Sequence, residues 1–275
     1  MCSLRALKNN IFPCSEKGVV EQVRKISDGI WDMTVLAPKI AGASRAGQFV
    51  HVRVSDDFIP FLRRPLSVGP ARGDFFRLIF TVKGSGTRLL AAKEAGGEID
   101  LIGPLGRPFI IPGEDQFPIL VAGGIGVVPL LLLDNQLPSD REMEFLLGIR
   151  SLKDATVDEV EVGQRRIHLS SEDGGVGFHG SVIDLLIKKL DELNHEKNIV
   201  IYGCGPGPML YALKKLCQER SIPAYVSLEV PMGCGVGACQ SCAVPRADGG
   251  GYYLVCHDGP VFNAADVVLL PGVLP

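Results

Sequence analysis

The sequence has no run of lysine or arginine, no internal repeat and no low-complexity tract. Its net charge is −3, so it lacks the basic footprint of a nucleic-acid binder. Only 21% of residues are charged and 46% are hydrophobic, which excludes a disordered chain and provides enough apolar surface for substantial cores. A length of 275 residues predicts about two domains and a small appendage. Catalytic acid–base patterns are missing too. His51, His168, His179, His195 and His257 are scattered without ligand spacing, and no nucleophile elbow occurs. Such a chain is expected to carry electrons and leave bond-making to another protein. One uncharged stretch, residues 117–133, invites a membrane reading. It is short for a bilayer-crossing helix and is broken by Pro118, Gly123, Gly124, Gly126 and Pro129. A buried strand, a glycine turn and a buried helix explain it better. Residues 1–17 do not have the charged-then-apolar layout of a leader, so Cys2, Cys14, Cys204 and Cys217 are expected to be reduced thiols of a cytoplasmic protein. Disulfides among the eight cysteines are the alternative, and the clustering of the other four argues against it.

Those four cysteines are the strongest signal present. Cys234, Cys239 and Cys242 have the C-x4-C-x2-C spacing of plant-type 2Fe–2S sites, and Cys256 supplies a fourth thiol. Each iron of such a cluster needs two thiolates. Gly233, Gly235 and Gly237 let the backbone approach the sulfides and aim N–H groups at them. Structural zinc is the competing reading, but four-cysteine zinc sites ordinarily show two short knuckles, and only one is present.

Two periodicities divide the rest. Residues 18–26, 30–38, 48–55, 65–69, 75–83 and 98–102 read as short strands with Asp, Gly and Pro between them, which predicts an antiparallel barrel. A helix is expected after Gly86, ending at Gly96 and Gly97. Beyond Pro112, strands at 119–122, 144–148, 165–170, 198–203 and 223–228 alternate with helices at 127–134, 181–193 and 208–217. That order predicts a doubly wound parallel sheet. The expected domains are 1–112, 113–226 and 227–275.

Within this frame, Arg64, Pro65, Leu66 and Ser67 stand out in the barrel. So do Lys83, Gly84, Ser85, Gly86 and Thr87, a glycine turn opening a helix where a phosphate can meet free N–H groups. Lys83 precedes the glycines, so this is not a Walker A loop. In the sheet, Gly123, Gly124 and Gly126 follow a strand and open a helix, with Pro129 in place of the third glycine of a dinucleotide fingerprint. Cys204, Gly205 and Pro206 form a second such turn.

In this order these motifs resemble the ferredoxin–NADP reductase superfamily. The cysteine segment narrows the resemblance to the electron-transfer subunits of NAD-dependent (class 1B) dihydroorotate dehydrogenases. The resemblance implies FAD at Arg64–Ser67 and Gly84–Thr87, and NAD at the Gly123–Gly126 and Cys204–Pro206 turns. Ser67 is then expected near the flavin's reactive edge and Cys204 near the nicotinamide. It also implies an FMN-containing catalytic subunit that oxidises dihydroorotate in pyrimidine (UMP) biosynthesis, in an assembly with two of each chain. The expected route runs from the partner's FMN through the cluster and FAD to NAD. Related reductase subunits of transhydrogenases, sulfide dehydrogenases or hydrogenases are the second reading, and a docking subunit with vestigial sites is the third. Three departures stand. Only thirteen residues separate Cys242 from Cys256, against a much longer gap in plant ferredoxins, so the segment is expected to be a reduced cluster-binding domain and not a whole ferredoxin. Leu66 replaces the aromatic residue many superfamily members carry, and Arg150 with Ser151 offers a place for a 2′-phosphate.

Overall fold

The computed structural model describes residues 13–151, 167–193 and 197–270. Cys2, His195 and the start of the strand expected at 165–170 lie outside the described residues. The first half is one antiparallel sheet of seven strands: β1 Cys14–Ser27, β2 Ile30–Leu36, β3 Phe49–Arg53, β4 Arg64–Ser67, β5 Ala71–Arg72, β6 Phe75–Thr81 and β7 Glu98–Leu105. Two short helices, α1 Pro38–Ala43 and α2 Ser85–Ala91, interrupt it. α1 begins at Pro38, the last residue of the strand expected at 30–38, and Pro38 at the first helical positions suits a helix start. The hydrogen-bonded order is β4-β3-β7-β1-β2-β6-β5. The sheet's two edges, β4 and β5, are consecutive in the chain. Val68 N–H bonds the Gln48 carbonyl at 3.0 Å, and Gly69 N–H bonds the Arg77 carbonyl at 2.9 Å, so the chain passes from one edge to the other within two residues. The sheet is therefore curled rather than closed by a continuous ladder. Buried Asp32 on β2 accepts from Arg24 on β1 at 3.0 Å and Arg77 on β6 at 2.6 Å, pairing a charge that would be costly alone.

The second half follows the expected alternation. Its strands are β8 Gln116–Gly123, β9 Glu144–Ile149, β10 His168–Ser171, β11 Phe178–His179, β12 Asn198–Cys204 and β13 Ala224–Ser227. The helices are α3 Val127–Gln136, α4 Val182–Glu192 and α5 Gly207–Glu219. α4 starts at a reciprocal cap, in which Ser181 Oγ accepts from Asp184 N–H at 3.2 Å and Asp184 accepts from Ser181 N–H at 3.0 Å. The order β11-β10-β9-β8-β12-β13 is parallel throughout. β8 is central and covered on both sides, which accounts for its uninterrupted apolar run. α3 is buried from Val127 to Asp134, so the uncharged stretch at 117–133 is protein core. Among the described residues no helix is long and apolar enough to cross a membrane.

The last segment adds β14 Ala243–Pro245, β15 Tyr252–Leu254 and β16 Val261–Asn263. The first two pair with each other, while β16 pairs antiparallel with β13 and extends the parallel sheet. The sequence signal missed β16 because a three-residue strand has no measurable period.

Candidate functional site: a cysteine loop between two sheets

The four cysteines come together as two pairs. Cys242 and Cys256 are buried with their sulfurs 3.3 Å apart, while Cys234 is half-buried and Cys239 exposed. Main-chain N–H groups of Val236, Ala238 and Cys239 point at Cys234 Sγ at 3.4, 3.3 and 3.3 Å. Gly237 N–H reaches Cys256 Sγ at 3.1 Å. Gly235 and Gly237 have φ of +71° and +82°, so the loop bends in a way that side-chain-bearing residues resist. Ser241 Oγ lies 3.1 Å from Cys239 Sγ, and its hydrogen bonding, with that of the Cys234 backbone, pulls the Cys239 thiol down to about 6. Burial, and then Cys242 beside it, pushes the Cys256 thiol up to about 12. Two buried sulfurs this close cannot both ionise without a cation between them. Among the described residues no three metal-ligating side chains converge as a single-ion site. Paired thiols fed by N–H donors fit a two-iron cluster.

The cysteine loop rests on the first sheet. A Cβ on Gly235 would stand 2.8 Å from Nδ1 of His51, which lies on β3 directly opposite Pro65 of β4. The fold thus brings the cysteine loop against β3, the strand paired with Arg64–Ser67 and more than 180 residues earlier in the chain. On that strand Arg64 lies over α2, where a Cβ on Gly86 would stand 2.6 Å from its Nε. Thr87 Oγ1 accepts from Lys83 and Gly84 N–H at 3.0 and 3.2 Å, so this residue caps the turn. Ser67 pairs with Phe49, and Leu66 with Val50.

At the other end of β4 the chain meets the second sheet. A Cβ on Gly69 would stand 3.2 Å from Val128 in the first turn of α3. This is where the sheet order reverses, between β8 and β12, with Ala122 opposite Cys204. Ligands bind open α/β sheets at such a switch point. The two glycine turns touch there. A Cβ on Gly126 would overlap the Cys204 carbonyl and stand 2.7 Å from Gly205 N, and one on Gly123 would stand 2.8 Å from Pro206. Burial, and then the charge of Glu229, pushes the Cys204 thiol up to about 12, while a hydrogen bond with Ser227 opposes them. Arg150 and Ser151 follow the carboxyl end of β9.

Sequence reasoning missed His51, Ser227 and Glu229. The last two had a usable signal, being polar residues at the carboxyl end of a parallel strand. His51 had none, because its neighbours arise only when β3 pairs with β4. A cavity of about 930 Å³, lined by residues including Arg107, Phe109, Tyr225 and Tyr253, lies at the connection between the sheets. It does not include the glycine turns.

Residues 229–268 match the family model described as the iron-sulfur cluster binding domain of dihydroorotate dehydrogenase B. The dihydroorotate dehydrogenase B (NAD(+)) electron transfer subunit of Bacillus velezensis is 37% identical over 258 residues, covering 91% of this chain and 97% of that protein. The Geobacillus kaustophilus subunit is 37% identical over 262 residues, covering 92% and 98%. The chain belongs to this family. It is an electron-transfer subunit of an oxidoreductase. Among solved structures, one describing flavin-based electron bifurcation by an NADH-dependent reduced ferredoxin-NADP oxidoreductase superposes with a TM-score of 0.79 at 28% identity, covering 92% of this chain and 90% of that one. The ferredoxin reductase of carbazole 1,9a-dioxygenase superposes with a TM-score of 0.65 at 17% identity, covering 78% and 68%, and supports the fold alone.

Proposed function

We propose that this chain relays electrons between an FMN-containing, dihydroorotate-oxidising partner subunit and NAD, in pyrimidine biosynthesis. The cluster would be held by Cys234, Cys239, Cys242 and Cys256. FAD would lie along Arg64–Ser67 and Gly84–Thr87, and NAD at Gly123, Gly124, Gly126, Gly205 and Pro206. When bound, these groups supply one-electron transfer at iron, hydride exchange at nicotinamide, and a flavin able to do both. The observation that carries the reading is the position of β4. One face of its partner strand supports the cysteine loop, and its far end meets the switch point of the second sheet.

The protein's own side chains have definable tasks. Arg64 offers a planar pair of donors to a pyrophosphate beside Gly86, where a side chain would intrude. Ser67, half-buried at the sheet junction, would orient the flavin edge. The Cys204 thiol is held protonated, so it contacts the nicotinamide as a neutral group. Main-chain N–H groups around Cys234 and Cys256 stabilise negative charge on sulfur.

The partner is expected to cover the cysteine loop. Phe58, Ile59 and Phe61 are 80%, 81% and 72% exposed in the β3–β4 connection. Its base is tied down by Arg63, which bonds Asp100 at 2.9 Å and the His51 carbonyl at 3.4 Å. Contiguous exposed apolar surface of this kind marks a protein contact. Val236 of the cysteine loop is exposed as well.

Co-purification from native extract, followed by assay of NAD-dependent dihydroorotate oxidation, tests the proposal. The expected complex contains two of each chain, FAD, FMN, iron and acid-labile sulfide. A colourless chain with zinc in place of iron and no flavin overturns it. The 28%-identical reductase favours a second reading, in which the partner handles ferredoxin and NADP. Capture of a partner that is inert toward dihydroorotate would select that one.

A further inference from the structure

The four cysteine sulfurs do not have the same company. Main-chain N–H groups of Val236, Ala238 and Cys239 meet Cys234, that of Gly237 meets Cys256, and that of Cys256 lies 3.5 Å from Cys242. Among the described residues, Cys239 is the cysteine of the four whose sulfur is met by a side-chain oxygen, Ser241 Oγ at 3.1 Å. The turn between these two residues bends through Gln240, whose φ of +59° is one that residues bearing a side chain rarely adopt. The bend returns Ser241 to the start of the loop, where its Oγ accepts from Gly233 N–H at 3.1 Å. Gly233 is tightly enclosed by the same two groups. A Cβ there would stand 3.1 Å from Cys239 Sγ and 3.4 Å from Ser241 Oγ.

This arrangement settles who donates. A hydroxyl has one hydrogen and two lone pairs. Gly233 N–H takes a lone pair of Ser241 Oγ, which leaves the hydrogen for the neighbouring sulfur. Cys239 could donate only as a free thiol. As an iron ligand it is a thiolate, with no proton to give. Of the pair, only Ser241 can then be the donor. We propose that Ser241 is a positioning residue that donates its hydroxyl hydrogen to the Cys239 thiolate and so raises the reduction potential of the cluster. An added electron increases negative charge on the ligating sulfurs, and a donor to sulfur favours the more negative state. The Gly233 bond holds the hydroxyl in place beforehand, so little reorganisation accompanies the electron. Cys239 and Ser241 are both exposed, so water replaces the bond in part and the effect is modest. This inference rests on the assignment of a two-iron cluster to the four cysteines.

Ser241→Ala, Ser241→Gly and Ser241→Thr in the anaerobically isolated full-length chain test it. Iron and acid-labile sulfide are counted, and an EPR-monitored redox titration gives the midpoint potential of the cluster, with the flavin potential as reference. Ser241→Ala and Ser241→Gly are expected to disfavour uptake of the electron about threefold to tenfold, a fall of about 30 to 59 mV for a one-electron couple. Ser241→Thr keeps the hydroxyl and should stay at the wild-type value, as should the flavin in all three. Loss of iron from the first two variants but not from Ser241→Thr would also support a required hydroxyl. Full iron content with a wild-type potential in Ser241→Ala or Ser241→Gly would overturn the proposal. So would an equal fall in Ser241→Thr, because the hydroxyl would then not be its cause. A wild-type chain that holds zinc or no metal would instead defeat the underlying assignment.

Discussion

Gly124 and Gly126 stand two residues apart in the same turn, yet alanine should act on them in different ways. Gly124 has φ +51° and open space around it, so Gly124→Ala meets only the left-handed backbone cost of about 1 kcal/mol. Gly126 has φ −62°, which any residue adopts, so backbone strain is not its constraint. There the obstacle is the neighbouring turn, since a Cβ would overlap the Cys204 carbonyl and lie 2.7 Å from Gly205 N. These are main-chain atoms that cannot rotate away, so β8 and β12 must part by roughly 1 Å at the switch point. Overpacking of this kind costs about 1–3 kcal/mol, and main-chain obstruction favours the upper end. A 1 Å displacement of a binding turn can cost about 10²-fold in rate. Gly126→Ala is therefore expected to lose about 3 kcal/mol of stability and roughly a hundredfold in kcat/KM for NADH-to-dye reduction. Gly124→Ala should lose about 1 kcal/mol and less than tenfold in rate. Urea unfolding and steady-state kinetics on the two variants measure both quantities. Equal, mild effects would show that the turns do not touch as described and would refute the shared-site argument.

Cys239→Ser should abolish electron exchange with the partner while leaving NADH-to-dye reduction partly intact, and parallel loss of both would contradict a cluster lying beyond the flavin. A double variant, Phe58→Ser with Phe61→Ser, should weaken assembly with the partner by at least tenfold in sedimentation without lowering NADH-to-dye rates, because two exposed anchors are removed and no cofactor turn is touched. Arg64→Ala should raise the FAD dissociation constant by roughly ten- to a hundredfold, as expected for lost charge-assisted bonds, and fluorescence titration reads this directly. Burial pushes the Cys204 and Cys217 thiols from an ordinary 9.0 up to about 12. The folded state then retains protons that the unfolded state releases, so stability should fall as pH rises above about 9 and be unaffected by these groups below it. Melting curves across that range, with Cys217→Ala as comparison, provide the check.

How much of this was legible depended on the range of each interaction. The cysteine spacing is a local property, and the loop geometry follows it closely, down to the positive φ of Gly235 and Gly237. The parallel strands and their helices were legible for the same reason, since apolar runs and glycine turns are contiguous in the chain. The closed barrel was less so. Alternation predicts strands but not whether the last edge is zipped, and the structure instead passes the chain across at Val68 and Gly69. β16 was invisible as a strand, and so was its pairing with β13, which makes the cysteine segment part of the second sheet rather than a free appendage.

The same distinction explains why the relay could be named from sequence but not assembled from it. Each motif announces a group it can hold, and none announces its distance from the next. That distance is set by β3 and β4. Their register places Pro65 opposite His51 and Ser67 opposite Phe49, so one face of the pair supports the cysteine loop while the following residues reach α3. A shift of β3 by one residue against both of its neighbours, β4 and β7, would turn His51 to the opposite face and bring Val50 or Val52 beneath Gly235. All the motifs would survive such a shift and the contact between them would be lost. On the proposed assignment of the cofactors, the functional unit is a strand pairing, with the motifs as its attachments.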